Sequence, residues 1–192
     1  MFNLVIFGAP GSGKGTQSAK IIDKYGFMHI STGDVLRDQI ARHTPDGQLA
    51  ESYISQGHLI PDEVMVKILE DVLDANKDKA VKGIVFDGFP RTVHQAEVLA
   101  EMLEHRGSKI NAVVGLEVDD DELVKRLLNR GLTSGRKDDN LETINERLKV
   151  YHDTTSPIKD FYVNNGLYRS VDGIGTVDQI FDRISNIIDG AN

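Results

Sequence analysis

The chain reads Leu4-Val5-Ile6-Phe7-Gly8-Ala9-Pro10-Gly11-Ser12-Gly13-Lys14-Gly15-Thr16-Gln17 near its start. The apolar run predicts a buried strand. The glycine-rich turn after it predicts a phosphate cradle, because glycines let backbone N–H groups point inward. The helix that follows would add its positive N-terminal end, and Lys14 adds a full charge. The pattern G-x-x-x-x-G-K-[ST] holds up to Lys14, but Gly15 then precedes the hydroxyl of Thr16. The stretch therefore predicts a polyphosphate site, with a departure that marks a particular kind of P-loop protein.

The composition is that of a single globular domain. Of 192 residues, 40% are hydrophobic and 27% charged, which is ordinary for such a domain. The chain has no cysteine, so it forms no disulfide and no thiolate metal site. No apolar run approaches the roughly 20 residues that span a bilayer. We expect a cytoplasmic protein, and a monomer because no apolar stripe is left exposed.

The formal net charge of −8 argues against nucleic acid and anionic membranes as partners. An acidic protein that binds polyphosphate must gather its cations in one place. The positions of the ten arginines are therefore informative.

Apolar runs alternate with helical patterns, which indicates an α/β fold with a parallel sheet. The predicted strands are residues 4–7, 28–30, 84–86, 112–118 and 167–171. We expect a three-layer P-loop NTPase-type fold with a central five-stranded parallel sheet.

Two apolar stripes have helical spacing and predict buried helix faces. The residues concerned are Met65, Ile68, Leu69, Val72 and Leu73 in the first stripe, which follows Pro61, and Val177, Ile180, Phe181, Ile184, Ile187 and Ile188 in the second.

Two segments interrupt the alternation and predict insertions at the rim of the sheet. Residues 31–60 indicate two helices around a polar turn at 42–47. Residues 130–141 are polar and contain the acidic pair Asp138-Asp139. Ligands of open α/β folds bind beyond the carboxyl ends of the strands, so both segments are candidate lids.

A second candidate motif is Asp87-Gly88-Phe89-Pro90-Arg91-Thr92, directly after a predicted strand. If this strand neighbours the first one, Asp87 lies near the phosphate loop and can organise Mg²⁺, directly or through water. Arg91 is placed to meet a phosphate. Taken alone, the motif also fits a tight turn with a capping residue.

Cations recur around the second insertion, at Arg126, Arg130, Arg136 and Arg147. Arg130 alone fits a cation at a helix C-terminus. Four arginines that bracket one polar loop in an acidic chain predict an anionic ligand instead. In the first insertion, Ser31-Thr32-Gly33-Asp34 fits a helix cap, and Arg37 follows one turn later.

Together these motifs resemble the adenylate kinase family over almost the whole chain, in the family's order. The matching stretches are the loop 8–17, Ser31 to Asp34, Asp87 to Thr92 with Gln95, and Arg126 to Arg147. The Gly15-Thr16 departure is what this family shows. The resemblance implies a reversible, Mg²⁺-dependent transfer of the terminal phosphate of ATP to AMP, giving two ADP, for adenine nucleotide homeostasis.

The resemblance also implies roles for individual residues. Those that would bind ATP are Gly11, Ser12, Gly13, Lys14, Gly15, Thr16, Arg126 (stacked on adenine), Arg130 and Gly175 (a carbonyl near the base). Those that would bind AMP are Thr32, Arg37, His58, Leu59, Ile60, Gly88, Phe89, Pro90, Arg91, Gln95, Arg136 and Arg147. Those that would act in catalysis are Lys14, Asp87, Arg91, Arg130, Arg136 and Arg147.

The implied domain plan is a single kinase domain. Its core comprises residues 1–30, 61–128 and 140–192, its AMP-side insertion residues 31–60, and its short lid residues 129–139. Without cysteines this lid carries no structural zinc site of the kind some relatives have. His58 stands where glutamine is common in the family, and little consequence is expected there.

The proposed chemistry fits these residues on physical grounds. ATP and AMP together bring roughly six negative charges into one site. The acceptor is already an anion, so the reaction needs positioning and charge neutralisation rather than a general base. Water must also be excluded, which calls for a lid that closes on both substrates.

Two alternatives remain at this point. UMP/CMP kinases share nearly every motif. In those pyrimidine enzymes, however, the stretch that corresponds to residues 31–34 looks like Ser-Ala-Gly-Asp, with alanine at the position of Thr32. Thr32, together with Gln95, therefore favours an adenine-selective enzyme. A non-catalytic nucleotide-binding module is expected to lack lid arginines or Lys14, and all are present. Asn76-Lys77-Asp78 is read as a helix end rather than a guanine-binding motif.

Overall fold

A computed structural model describes residues 1–78 and 82–191. Within them, five strands form one parallel sheet: β1 Phe2–Gly8, β2 Met28–Ser31, β3 Gly83–Asp87, β4 Ile110–Glu117 and β5 Tyr168–Asp172. Their order is β2-β3-β1-β4-β5, so β1 lies in the middle and next to β3. The predicted parallel sheet is confirmed, with strand ends that differ from the prediction by at most two residues.

Helices cover both faces of this sheet. They are α1 Lys14–Tyr25, α2 Thr32–Ala41, α3 Pro45–Ile54, α4 Asp62–Ala75, α5 Val93–His105, α6 Asp120–Ser134, α7 Leu141–Val150, α8 Ile158–Asn164 and α9 Val177–Gly190, with a π-helical turn at Tyr151–Thr155 before α8. Successive residues of β1 pack on opposite faces of the sheet, because strand side chains alternate between the two faces. Leu4 and Ile6 join an apolar cluster with α1 and α9, whereas Val5 and Phe7 join one with α4 and α5. The three-layer prediction is confirmed.

The two predicted helical stripes form as expected. In α4, Met65, Ile68, Leu69 and Leu73 are buried, and the helix begins directly after Pro61. In α9, Ile180, Ile184 and Ile188 are buried, while Val177 at the first turn is exposed. The helix α4 ends at Ala75, so Asn76 is a helix end as predicted.

The first insertion contains the two predicted helices, but the second one begins earlier than expected. Thr44 caps α3 by accepting a hydrogen bond from the Gly47 N–H, and Pro45 occupies the first helical position, which proline favours. Gly47 is therefore helical and buried. A side chain there would collide with the backbone of Gln39 in α2.

The second insertion is more helical than expected. The helix α6 continues through Ser134 and ends at Gly135, which adopts a left-handed conformation (φ 66°). The predicted polar loop at 130–141 is thus wrong over its first five residues. Leu128 and Leu132, four residues apart on α6, are 37% and 85% exposed. The expectation of no exposed apolar stripe therefore fails on this helix.

No helix in the described ranges has both the length and the apolar character needed to cross a membrane.

Candidate active site

The glycine-rich loop joins the central strand β1 to the N-terminus of α1. Gly11 (φ 83°) and Gly13 (φ 101°) both take left-handed conformations that suit glycine alone. A Cβ on Gly11 would also come within 2.8 Å of the Leu127 side chain. The loop therefore needs glycine both for its curl and for its close packing on α6.

Lys14 is held at the base of this loop. Its Nζ donates to the carbonyls of Gly8 at 2.7 Å and Ala9 at 3.0 Å. Burial lowers its pKa to about 8, and the nearby cations Arg91 and Arg147 act in the same direction. In the free protein, the surroundings of Lys14 therefore favour its neutral amine. A bound polyanion would favour the charged ammonium form instead.

Asp87 is the last residue of β3 and pairs in register with Ile6 of β1. The two strands are neighbours, as the sequence argument required. Oδ2 of Asp87 would lie 3.9 Å from a Cβ placed on Gly15, so the carboxylate faces the start of α1. His29 Nε2 lies 3.5 Å from the same oxygen. His29 was not predicted from the sequence, because the β2–β3 pairing is what brings it next to Asp87.

A cleft of about 620 Å³ opens above the loop. It is lined by all the residues predicted for the ATP side and for catalysis: Gly11, Ser12, Gly13, Lys14, Gly15, Thr16, Asp87, Arg91, Arg126, Arg130, Arg136, Arg147 and Gly175. Arg126 is anchored by Glu122 (2.8 Å) and by the Gly173 carbonyl (3.1 Å).

A smaller cavity of about 140 Å³ adjoins this cleft. It is lined by most residues predicted for AMP: Thr32, Arg37, His58, Leu59, Ile60, Gly88, Pro90, Arg91, Gln95 and Arg147. Lys14, Arg37, Arg91 and Arg147 line both spaces, so a row of cations lies where the two spaces meet.

Two predicted AMP residues are not found in this cavity. Phe89 is 1% exposed and belongs to the apolar core instead. Its neighbours Gly88 and Pro90 do line the cavity. Arg136 lines the larger cleft only.

The cations at the junction repel one another. Burial, helped by the nearby cations Arg147 and Arg37, lowers the pKa of Arg91 to about 10. Burial also lowers the pKa of Arg136, with Arg37 the next cause. Among the described residues, the Arg136 guanidinium has no ion-pair partner. These arginines therefore form a region of excess positive charge, which a bound polyphosphate would neutralise.

Asp138 and Asp139 hold two of these arginines in place. Asp139, which is 5% exposed, binds Arg130 through two hydrogen bonds of 2.6 and 2.7 Å. Arg147 Nη1 contacts Asp138 Oδ2 at 2.8 Å and Asp139 Oδ1 at 3.0 Å. Although burial opposes it, hydrogen bonding from Arg130 lowers the pKa of Asp139. The sequence showed this acidic pair between arginines, but its role was not predicted.

The first insertion touches α7 beside the cavity. His58 Nε2 lies 3.4 Å from Glu146 Oε1, and a Cβ on Gly57 would meet Arg147 and the Thr143 carbonyl at 3.1 Å. His58 thus contributes a contact across the site, which the sequence argument did not anticipate. Thr32 is buried and donates to the Gly88 carbonyl at 2.8 Å, joining α2 to the turn after β3.

The fold and the two adjoining spaces place the chain among the P-loop nucleotide-binding proteins. Residues 6–167 match the family model described as adenylate kinase. The chain is 56% identical to the adenylate kinase of Bacteroides thetaiotaomicron over 98% of this chain and 99% of the relative. It is 54% identical to that of Bacteroides fragilis, again over 98% and 99%, and 50% identical to that of Porphyromonas gingivalis over 98% and 96%. The chain belongs to the adenylate kinase family, as its motifs predicted.

Proposed function

We propose that this chain catalyses reversible phosphoryl transfer from ATP to AMP, giving two ADP. ATP occupies the larger cleft, with its phosphates on the loop 11–16, and AMP occupies the smaller cavity. The observation that carries the proposal is the row of cations shared by the two spaces: Lys14, Arg37, Arg91 and Arg147. A phosphate in transit between the two nucleotides must pass this junction, where positive charge offsets the charge that develops.

The chain's own residues act by binding and orienting. Lys14 and Arg130 hold the phosphates of ATP, Arg126 packs on its base, and the Gly175 carbonyl lies near that base. Arg37 and Arg91 hold the AMP phosphate, while Arg136 and Arg147 approach the phosphates of both substrates. Arginine suits this task because its planar fork can grip two phosphate oxygens.

Asp87 fits a role beside Mg²⁺. Its carboxylate faces the loop, and Gly15 places no side chain between them. Within residues 1–78 and 82–191, no three acidic or histidine side chains enclose a metal site. Phosphate oxygens and water would therefore supply most ligands, with Asp87 acting through water. When bound, the ion neutralises phosphate charge. We extend the proposal to a cytoplasmic protein, whereas the exposed Leu128 and Leu132 of α6 remove the argument for a monomer.

The test is acceptor specificity. Turnover is measured at a fixed Mg²⁺-ATP concentration with AMP, UMP, CMP and GMP at equal concentration. AMP is expected to be the preferred acceptor. Preferred turnover of UMP or CMP would overturn the assignment in favour of a pyrimidine monophosphate kinase, and binding without transfer would indicate a nucleotide-binding module.

A further inference from the structure

The carboxylate of Asp62, at the start of α4, contacts the side chain of Gln95 in α5. Asp62 Oδ1 accepts a hydrogen bond from Gln95 Nε2 at 2.8 Å, and its Oδ2 accepts one from Thr92 Oγ1 at 2.8 Å. On the other side, Gln95 Oε1 accepts from the backbone N–H of Arg91 at 2.8 Å. Gln95 is 2% exposed and lines the smaller cavity.

These partners allow only one orientation of the Gln95 amide. An ionised carboxylate only accepts hydrogen bonds, and a backbone N–H only donates one. A half-turn of the amide would set its oxygen against Asp62 and its NH₂ group against the Arg91 N–H. Two contacts of the buried Gln95 amide would then become repulsive at once, and unpaired buried polar groups are costly. Asp62 and the Arg91 N–H therefore fix which end of the amide is donor and which is acceptor.

One hydrogen on Nε2 and one lone pair on Oε1 are left for a ligand in the cavity. A base fits this fixed pair if it offers a ring-nitrogen acceptor beside an exocyclic amine. Adenine does so, with N1 and its 6-amino group. A 6-oxopurine offers N1–H and O6, which is the reverse order, and would need the forbidden half-turn. Uracil also presents the reverse order, whereas cytosine presents the same order as adenine.

We propose that Asp62 is a positioning residue for specificity. It locks Gln95 in the orientation that accepts a 6-aminopurine monophosphate and rejects 6-oxopurine monophosphates. It does not reject CMP, which must be excluded by the size and shape of the cavity. The inference rests on the proposed placement of AMP in the smaller cavity.

The test compares Asp62→Asn with wild type. An asparagine offers both a donor and an acceptor, so residue 62 no longer opposes the reversed Gln95 amide, and only the Arg91 N–H still does. The matched control is Glu63→Gln, which removes the next carboxylate in the same first turn of α4 from an exposed position. For each protein, kcat/KM is measured with AMP, IMP, GMP and CMP at saturating Mg²⁺-ATP.

In Asp62→Asn, the preference for AMP over IMP and over GMP is expected to fall by about 10-fold, the effect of roughly one hydrogen bond. The preference for AMP over CMP is expected to stay as in wild type, and Glu63→Gln is expected to change neither. An unchanged AMP/IMP ratio, or an equal loss with all four acceptors, would overturn the inference and leave Asp62 a structural role.

An AMP analogue with carbon in place of N1 gives an independent measurement. Wild type is expected to use it about 10-fold less well than AMP, the effect of roughly one hydrogen bond, because the Gln95 N–H then meets no acceptor. Asp62→Asn and Asp62→Ala are expected to show a smaller difference. If neither variant folds, equal use of both acceptors by wild type still overturns the inference, because Gln95 then makes no oriented contact with the base for Asp62 to fix. Wild-type turnover of AMP tests the proposed function separately.

Discussion

The Asp139 carboxylate holds the Arg130 guanidinium with two parallel hydrogen bonds, from Nε at 2.6 Å and from Nη2 at 2.7 Å. The same carboxylate contacts Arg147 at 3.0 Å. The Asp139 side chain is fully buried, whereas that of Arg130 is one-third exposed toward the cleft. One anion therefore sets the direction of two of the cations that line the larger cleft.

The variant Asp139→Asn is expected to lower kcat on the order of 100-fold, because a small misplacement of phosphate-binding groups has large effects on transfer. It is also expected to lower the free energy of unfolding by about 2 kcal/mol, through the loss of charge-assisted hydrogen bonds. Steady-state kinetics and urea unfolding measure the two effects. Glu142→Gln, an exposed carboxylate on α7, serves as the control. A variant with wild-type kcat would show that Arg130 and Arg147 need no such anchor.

The variants Lys14→Met and Arg91→Ala are each expected to reduce turnover by about 100-fold or more while the fold persists. Each removes a cation from the place where the two spaces meet, and such groups act on the charge of the transition state. Phosphoryl transfer and far-ultraviolet circular dichroism are the measurements. Lys20→Met is the control, because Lys20 lies on α1 but pairs with the exposed Asp178 away from the loop. Near-normal turnover of either active-site variant would mean that the site is misplaced.

What the sequence predicted correctly depended on local signals. The glycines and Lys14 follow one another in a single loop, and β1, β3 and β4 are short, largely apolar runs. Neither prediction required knowledge of distant contacts. What it missed depended on tertiary neighbours. Asp139 meets Arg130 only because α7 packs back on α6, and Asp62 meets Gln95 across 33 positions of sequence. His29 reaches Asp87 only through the pairing of β2 with β3.

Stability should depend on pH through Lys14. Burial lowers its pKa from 10.5 to about 8 in the folded protein. Below pH 8 both states carry the proton, and burial of the charge opposes folding. Between pH 8 and 10.5 the unfolded chain keeps a proton that the folded protein has released, so this unfavourable contribution is relieved as pH rises.

The variant Lys14→Met is therefore expected to be more stable than wild type at pH 7, with an advantage that shrinks through pH 8 toward pH 10. Urea unfolding of both proteins across this range, without nucleotide, measures the difference. An advantage that stays constant over the whole range would contradict the assignment of a lowered pKa to Lys14.

Gly47 offers a test of the first insertion, where α2 and α3 are in close contact. It is buried in α3, and a Cβ there would overlap the backbone of Gln39 and Ile40 in α2. Gly47→Ala is expected to lower the free energy of unfolding by about 1–3 kcal/mol, the usual range for overpacking. Because α2 carries Thr32 and Arg37 into the smaller cavity, KM for AMP should rise more than KM for ATP. Gly190→Ala, at an open position in α9, is the control and should leave both constants unchanged. An equal rise in both KM values would show that the two helices do not act on the AMP side alone.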